Sequence, residues 1–279
     1  MSASVQFAEI DWEGRRVRLE YAWVGDARAR GARTPLMVFL HEGLGSVAMW
    51  KDFPARLCQA LGWQGLVYSR PGYGASTPRP SGQAWTPDFM HRQAWEVLPA
   101  FLATVEVDVS VDPPWLFGHS DGGSISLLHA ARFATEVSGL VVVAPHIFVE
   151  ALSLRSIAQA REAYRKTDLR QRLARYHDDP DSAFLGWNDA WLHPDFKSWN
   201  IESELASIRS PLLAVQGLDD EYGTLAQIHG IARQVAHTEL LELPDCGHSP
   251  HKDQPDRLIQ GVRAFVQRHS PITTNRRLT

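Results

Sequence analysis

No stretch constrains the chain more than Gly118-His119-Ser120-Asp121-Gly122. It follows a short apolar run, Trp115-Leu116-Phe117, and precedes Gly123 to Ala131, small and aliphatic residues suited to a helix lying close on a sheet. Glycines two positions either side of Ser120 allow a sharp turn between strand and helix, and a serine on such a turn holds its hydroxyl clear of the sheet. The helix that begins there offers unpaired backbone N–H groups and the positive end of its dipole. Negative charge developing on an oxygen is stabilised at such a place. The pentapeptide alone recurs by chance, so its partners have to be sought elsewhere in the chain.

Composition sets the outer limits. A chain of 279 residues with 44% hydrophobic content can bury a substantial core, as one large domain or as a domain with an insertion. The net charge of −4 and the lack of a basic run exclude nucleic acid as the expected partner, and Arg276-Arg277 reads as a frayed end. Two cysteines, Cys58 and Cys246, stand far apart in unlike contexts, which fits a reducing compartment and rules out a cysteine metal set. The start, Met1 to Phe7, lacks a basic segment followed by an apolar core, and no apolar run is long enough to span a bilayer. A cytoplasmic protein with no membrane partner is the expectation.

In order, strand-like runs at 6–12 and 17–23 flank a turn at Gly14, and Asp26 to Thr34 reads as a solvated loop. Leu36 to Leu40 and Leu66 to Ser69 are continuous apolar runs, the pattern of parallel strands covered on both faces, with a helix between them from about Val47 to Leu61. Thr86-Pro87-Asp88 reads as the start of a helix running toward Val105, after an irregular loop from Thr77 to Trp85. Gly139 to Ala144 is a third apolar strand. From His146 to about Ser210 no strand-like run occurs; helical stretches carry Phe148, Tyr164, Tyr176, Phe184, Trp187, Trp191, Phe196 and Trp199. The alternation resumes with a strand at Leu212 to Val215, a helix at Leu225 to Ala236, a strand at Glu239 to Leu243 and a last helix from Asp253 to Arg268. This predicts an α/β protein with a mostly parallel sheet and helices on both faces. The core spans 1–145 and 211–279, and a helical lid is inserted over 146–210.

Five motifs now stand in order, each after an apolar strand: His41-Glu42-Gly43-Leu44-Gly45, Arg70-Pro71-Gly72-Tyr73-Gly74-Ala75-Ser76, the serine turn, Gln216-Gly217-Leu218-Asp219-Asp220 and Cys246-Gly247-His248. Together they resemble the α/β-hydrolase fold, in particular lid-bearing serine hydrolases similar to the biphenyl-hydrolase-like, valacyclovir-cleaving esterases and to ring-cleavage hydrolases. The resemblance covers nearly the whole chain and implies an eight-stranded sheet. It implies Ser120 as nucleophile, Asp220 as the acid through the G-x-x-D pattern, and His248 as the base. It also implies an oxyanion site made by the backbone N–H of Asp121 and one from the Gly43-Leu44 turn, assigned to Leu44 by aligning Gly-Leu-Gly-Ser. Many members have glycine where this chain has Glu42.

The residue types suit the chemistry. A serine hydroxyl is a poor nucleophile near neutral pH, so a histidine must take its proton as it attacks a carbonyl and return it to the leaving group, and a carboxylate must orient that imidazole. Asp219 competes with Asp220 for the acid position; with Glu221 it otherwise reads as solvated or capping. His251 competes with His248, and a metal pair there lacks further ligands. His41 and His119 read as hydrogen-bonded structural residues and Arg70 as an anchor of its loop. Asp121 is similar to the acid that meets a substrate ammonium group in the valacyclovir-cleaving hydrolases, although helix-dipole complementarity, the preferred reading, explains it without a ligand. Glu42, His146, Trp187 and Trp191 are candidate pocket residues, and Phe184 and Trp199 are further aromatics consistent with an apolar acyl pocket. The expected reaction is cofactor-free and metal-free hydrolysis of a small carboxylic ester or thioester through an acyl-enzyme. The rivals are carbon–carbon bond hydrolysis of aromatic ring-cleavage products, whose enzymes tend to carry Met after the nucleophile, and a non-catalytic ligand-binding module of the same fold.

Overall fold

The computed structural model of the chain describes residues 4–25, 34–80 and 82–270. Most of the loop expected at Asp26 to Thr34 and the tail with Arg276-Arg277 lie outside them. Eight strands form one sheet in the order β1-β2-β4-β3-β5-β6-β7-β8. They are β1 Val5–Trp12, β2 Arg15–Gly25, β3 Leu36–Leu40, β4 Gln64–Tyr68, β5 Trp115–His119, β6 Gly139–Val143, β7 Leu212–Gly217 and β8 Thr238–Leu243. The hairpin β1-β2 is antiparallel and β2 joins β4 antiparallel; every pairing from β4 through β8 is parallel.

The apolar runs of β3, β5, β6 and β7 follow from burial on both faces. Val38, Leu40, Leu116, Leu140, Val142, Leu212 and Ala214 face one hydrophobic cluster, while Met37, Phe39, Phe117, Val141, Val143, Leu213 and Val215 face the other. The first cluster is closed by α3 Leu98–Thr104, α4 Asp121–Arg132 and α9 Ala226–Gln234, the second by α1 Phe53–Leu61 and α11 Pro255–His269. Each such aliphatic or aromatic side chain, fully removed from water, contributes roughly 1.5–3 kcal/mol.

Between β6 and β7 the chain runs through α5 Ala151–Lys166, α6 Leu169–Leu173, α7 Pro180–Trp191 and α8 Glu202–Leu205. Ile157, Phe184, Trp191 and Leu205 of this insertion belong to the same buried cluster as the sheet face beneath them. Its ends meet at an isolated bridge between Phe148 and Asn200.

Three helices differ from the sequence expectation, each because of local chemistry. The one expected from Val47 splits at Lys51, whose φ of 56° interrupts it, into a short turn at Ala48–Trp50 and α1. The one expected from Thr86 starts as α2 Phe89–Arg92 and passes through a wide π turn at Gln93–Val97 before α3. Pro99 explains that turn, since its nitrogen has no proton to donate and its ring crowds the carbonyl four residues back. The last helix, expected from Asp253, starts two residues later as α11 with Pro255 at its first position, and a separate short helix, α10 Pro250–Asp253, precedes it.

Parallel connections bring the loops after β3, β5, β7 and β8 to one edge of the sheet. Chain order reverses direction between β3 and β5, so the loop after β3 and the turn after β5 lie side by side at the switch point, where ligands bind in open α/β sheets.

Candidate active site

Ser120 sits between the last residue of β5 and the first of α4 with φ 52° and ψ −119°. Such a conformation costs a non-glycine residue roughly 1–3 kcal/mol. Neighbouring bonds hold it: its N–H donates to the Val143 carbonyl at 2.9 Å, and its own carbonyl accepts from the N–H groups of Gly123 (2.8 Å) and Ser124 (3.1 Å). The flanking glycines are required by contact. A Cβ on Gly118 would lie 2.2 Å from the Gly122 carbonyl oxygen, and one on Gly122 would lie 2.1 Å from that of Leu40.

Ser120 Oγ lies 2.9 Å from His248 Nε2, and His248 Nδ1 lies 2.8 Å from Asp220 Oδ1. A carboxylate only accepts, so Nδ1 carries the imidazole proton and Nε2 is free to accept from the serine hydroxyl. Asp220 is fixed on both oxygens: Oδ1 also accepts from the N–H groups of Tyr222 (2.8 Å) and Gly223 (3.2 Å), and Oδ2 from Gln216 Nε2 (3.1 Å). Burial alone would raise the Asp220 carboxyl, but its hydrogen bond to His248, that group's charge and the Tyr222 amide outweigh burial and hold it below the usual range. Burial alone would lower His248, yet the Asp220 hydrogen bond and charge raise it above its ordinary 6.5. Asp219 is exposed and bonds through its backbone N–H to the Cys246 carbonyl at 3.0 Å.

Glu221, read from sequence as solvated or capping, is exposed and also accepts the His248 backbone N–H at 3.1 Å, because the loops after β7 and β8 run side by side. His119 Nε2–H donates to the His248 carbonyl at 2.7 Å, a second tie on that loop. His251, packed with Trp50 and His119 at ring separations of 5.0 and 4.8 Å, is buried and driven by desolvation down to about 2. His41 Nδ1–H donates to the Glu42 carbonyl at 2.6 Å and Nε2 accepts from the Arg70 N–H at 3.0 Å.

A cavity of about 170 Å³ opens over Ser120, lined by Glu42, Gly43, Leu44, Asp121, His146, Ile157, Trp187, Trp191, Tyr222 and His248. Glu42, His146, Trp187 and Trp191, the candidate pocket residues, are on its wall. Phe184 and Trp199 are not, since Phe184 stacks on Tyr164 at 3.8 Å and Trp199 on Phe196 at 5.3 Å. Ile157 and Tyr222 escaped the sequence reading; Tyr222, two residues past Asp220, offered a signal, whereas nothing local marks Ile157. His146 turns its ring toward Trp191 (4.9 Å) and His248 (5.9 Å), and burial drives it down to about 3, so it is neutral.

The loop after β3 makes a turn closed by Gly45 N–H to the Glu42 carbonyl at 3.0 Å. The Leu44 N–H in this turn and the Asp121 N–H at the start of α4 donate to no protein acceptor among the described residues. Trp187 covers the turn so closely that a Cβ on Gly43 would fall 2.2 Å from its Nε1. Asp121 is fully buried: Oδ1 accepts from Trp191 Nε1 at 3.1 Å, and Oδ2 lies 3.7 Å from the guanidinium of Arg70, itself 1% exposed. Burial raises the Asp121 carboxyl despite Arg70 and Trp191. Helix-dipole complementarity is thus only part of its setting, and Arg70 does more than anchor its own loop. The Glu42 carboxylate lies 3.5 Å from His119 Nδ1 and 3.8 Å from Lys252 Nζ; burial opposes its ionisation, but these partners hold it well below the usual range. Among the described residues no group of three or more His, Cys, Asp or Glu could hold a metal ion, and no helix is long and apolar enough to cross a membrane.

Comparison with known proteins agrees with this architecture. A 2-succinyl-6-hydroxy-2,4-cyclohexadiene-1-carboxylate synthase of Enterobacter sp. (strain 638) is 25% identical over 256 residues, covering 83% of this chain and 91% of that protein. Among solved structures, a thermophilic esterase from Thermogutta terrifontis superposes with a TM-score of 0.70 at 16% identity, over 96% of this chain and 100% of the other. A meta-cleavage product hydrolase from Pseudomonas fluorescens IP01 does so with 0.68 at 16% identity, over 93% and 97%. A model of the alpha/beta hydrolase family matches residues 37–260, most of the chain, and the eight-stranded, mostly parallel sheet carries the serine on its strand-to-helix turn: the chain belongs to the alpha/beta hydrolase family.

Proposed function

We propose that the chain is a serine hydrolase that cleaves a small carboxylic ester or thioester through an acyl-enzyme on Ser120. The observation that carries this reading is the unbroken line from Ser120 Oγ through His248 to Asp220, opening on a cavity lined by Trp187, Trp191 and Ile157. His248 Nε2 takes the hydroxyl proton as Oγ bonds the substrate carbonyl carbon, and Asp220 stabilises the imidazolium that forms. The Leu44 and Asp121 amides receive the oxyanion; one such donor is typically worth about 2.7–4 kcal/mol. The bond to the alcohol or thiol then breaks as Nε2–H returns the proton. A water, deprotonated by the same nitrogen, releases the acid and regenerates Ser120. At about 170 Å³ the cavity falls below the roughly 300–1,000 Å³ of drug-sized sites, which favours a short acyl group against Trp187, Trp191 and Ile157.

The curated relatives supply a second reading, formation of a ring carboxylate like the one in their name. Charge on the cavity wall weighs against it. No Lys or Arg is among the lining residues, Glu42 and Asp121 are, and Arg70 stands paired behind Asp121. Carbon–carbon bond hydrolysis would use the same three side chains.

The test is labelling by a fluorophosphonate, with turnover of p-nitrophenyl acetate, butyrate and octanoate beside a ring-cleavage dienone and the cyclohexadiene reaction. A burst and turnover on the short esters, lost in Ser120→Ala with an unchanged circular dichroism spectrum, is the expected result. An unlabelled Ser120 in folded protein would leave a binding module, and turnover of the dienone or the cyclohexadiene substrate alone would move the chain to that chemistry.

A further inference from the structure

His177 belongs to none of the five motifs and lies in the segment joining α6 to α7, yet it is 3% exposed and its ring reaches two loops of the core. Nδ1 accepts the Gly74 N–H at 2.9 Å, so the ring proton is on Nε2, which donates to the Leu44 carbonyl at 3.0 Å. Next to it, the Asp178 N–H donates to the Gly74 carbonyl at 2.9 Å, making a two-bond clasp on the loop after β4. The Tyr73 ring stands edge-on to the imidazole at 6.2 Å. Burial lowers the His177 pKa, which favours the neutral ring that can accept at one nitrogen and donate at the other.

The two sides of the Glu42–Gly45 turn are held differently. On its first side the Glu42 carbonyl accepts from Gly45 N–H, His41 Nδ1 and Arg70 Nη2. On its far side the Leu44 carbonyl accepts from His177. Between these anchors lies the Gly43–Leu44 peptide, the middle peptide of the turn and the carrier of the Leu44 N–H. Middle peptides of such turns rotate between alternative turn types when the flanks are free. An oxyanion donor has to be aimed before the charge appears, because reorientation during reaction forfeits its advantage.

We propose that His177 is a positioning residue through which the helical insertion aims the Leu44 amide at the reacting carbonyl. The inference rests on the hydrolase reading for its activity arm only. It makes the oxyanion site dependent on a seated insertion: displacing the α6–α7 segment releases the Leu44 carbonyl and Gly74 together.

Three variants separate the bonds. His177→Gln keeps a donor near Nε2, on the Leu44 side; His177→Asn keeps an acceptor near Nδ1, on the Gly74 side; His177→Phe keeps the volume and loses both. Two measurements are made on the full chain: peptide-resolved amide exchange across 42–46, and kcat and KM on p-nitrophenyl butyrate. Faster exchange in Phe and Asn than in wild type and Gln is expected. So is a kcat lower by about 10- to 100-fold, part of the 10²–10³ lost with a whole donor, with KM within about threefold and rescue by Gln. Unchanged exchange in His177→Phe, or Gln behaving as badly as Phe in either measurement, overturns the proposal. If wild-type protein turns over no ester, the hydrolase reading fails, and exchange alone decides whether His177 holds the turn.

Discussion

Replacing Asp220 by asparagine tests the carboxylate's role, because the structure dictates how the amide will sit. Three N–H donors converge on Oδ1, from His248, Tyr222 and Gly223, against a single donor, Gln216 Nε2, on Oδ2. The asparagine therefore keeps its oxygen at the Oδ1 position and turns its NH2 toward Gln216. His248 retains its Nδ1–H tautomer, and the loss is one of charge. With imidazolium and carboxylate centres about 4 Å apart and an effective dielectric constant near 20, that attraction is about 4 kcal/mol. At about 1.36 kcal/mol per decade, kcat falls roughly 10³-fold, less than the roughly 10⁴ of a variant with the wrong tautomer. The same change removes what raises His248, so the acid limb of kcat/KM, expected above pH 6.5 in wild type, moves below it. Stopped-flow hydrolysis of p-nitrophenyl butyrate between pH 5 and 8 reads both effects, with Asp219→Asn as a near-silent control. A loss below tenfold, a stationary acid limb, or an equal loss from Asp219→Asn would refute the reasoning.

Further outcomes follow from buried groups around the site. Histidines 129, 146 and 251 are held down to about 4, 3 and 2 by burial, so they stay neutral when folded while the unfolded chain protonates below about 6.5. Their stabilising contribution is complete above that pH and is lost as pH falls. With His41 and His177, which burial also lowers, and allowing for His248, which shifts the opposite way, stability drops by roughly 4–5 kcal/mol from pH 7.5 to 5.5. That lowers Tm by about 8 °C, and a flat calorimetric Tm over this range contradicts it. Asp121→Ala leaves the buried Arg70 guanidinium without its carboxylate and costs about 3–5 kcal/mol in urea unfolding; a change below 1 kcal/mol would mean the carboxylate is free to meet a ligand cation.

Much of this protein is legible in one dimension, because some physics is local. Alternation in β2, unbroken apolar runs in β3 to β7 and glycines around Ser120 each encode a conformation within a few residues. Their order along the chain then leads to one sheet edge where the serine, acid and histidine loops emerge. The helix distortion before Pro99 and the helix start at Pro255 were legible in principle, since a missing N–H decides both.

Which side chains meet was decided only by tertiary packing. Ser120 and His248 bond across 128 positions and His177 reaches Leu44 across 133, separations over which no periodicity carries information. Composition marked a set of insertion aromatics but could not tell Trp187 and Trp191, which face the cavity, from Phe184 and Trp199, which stack on neighbours. Nor could it set Arg70 behind Asp121 or Glu221 on the histidine loop, since each pairing depends on two distant backbones approaching to hydrogen-bond range. Local sequence chose the elements and their sequence of turns; long-range burial chose the partners of each polar group, because an unpaired one in the interior would cost more than the fold can spare.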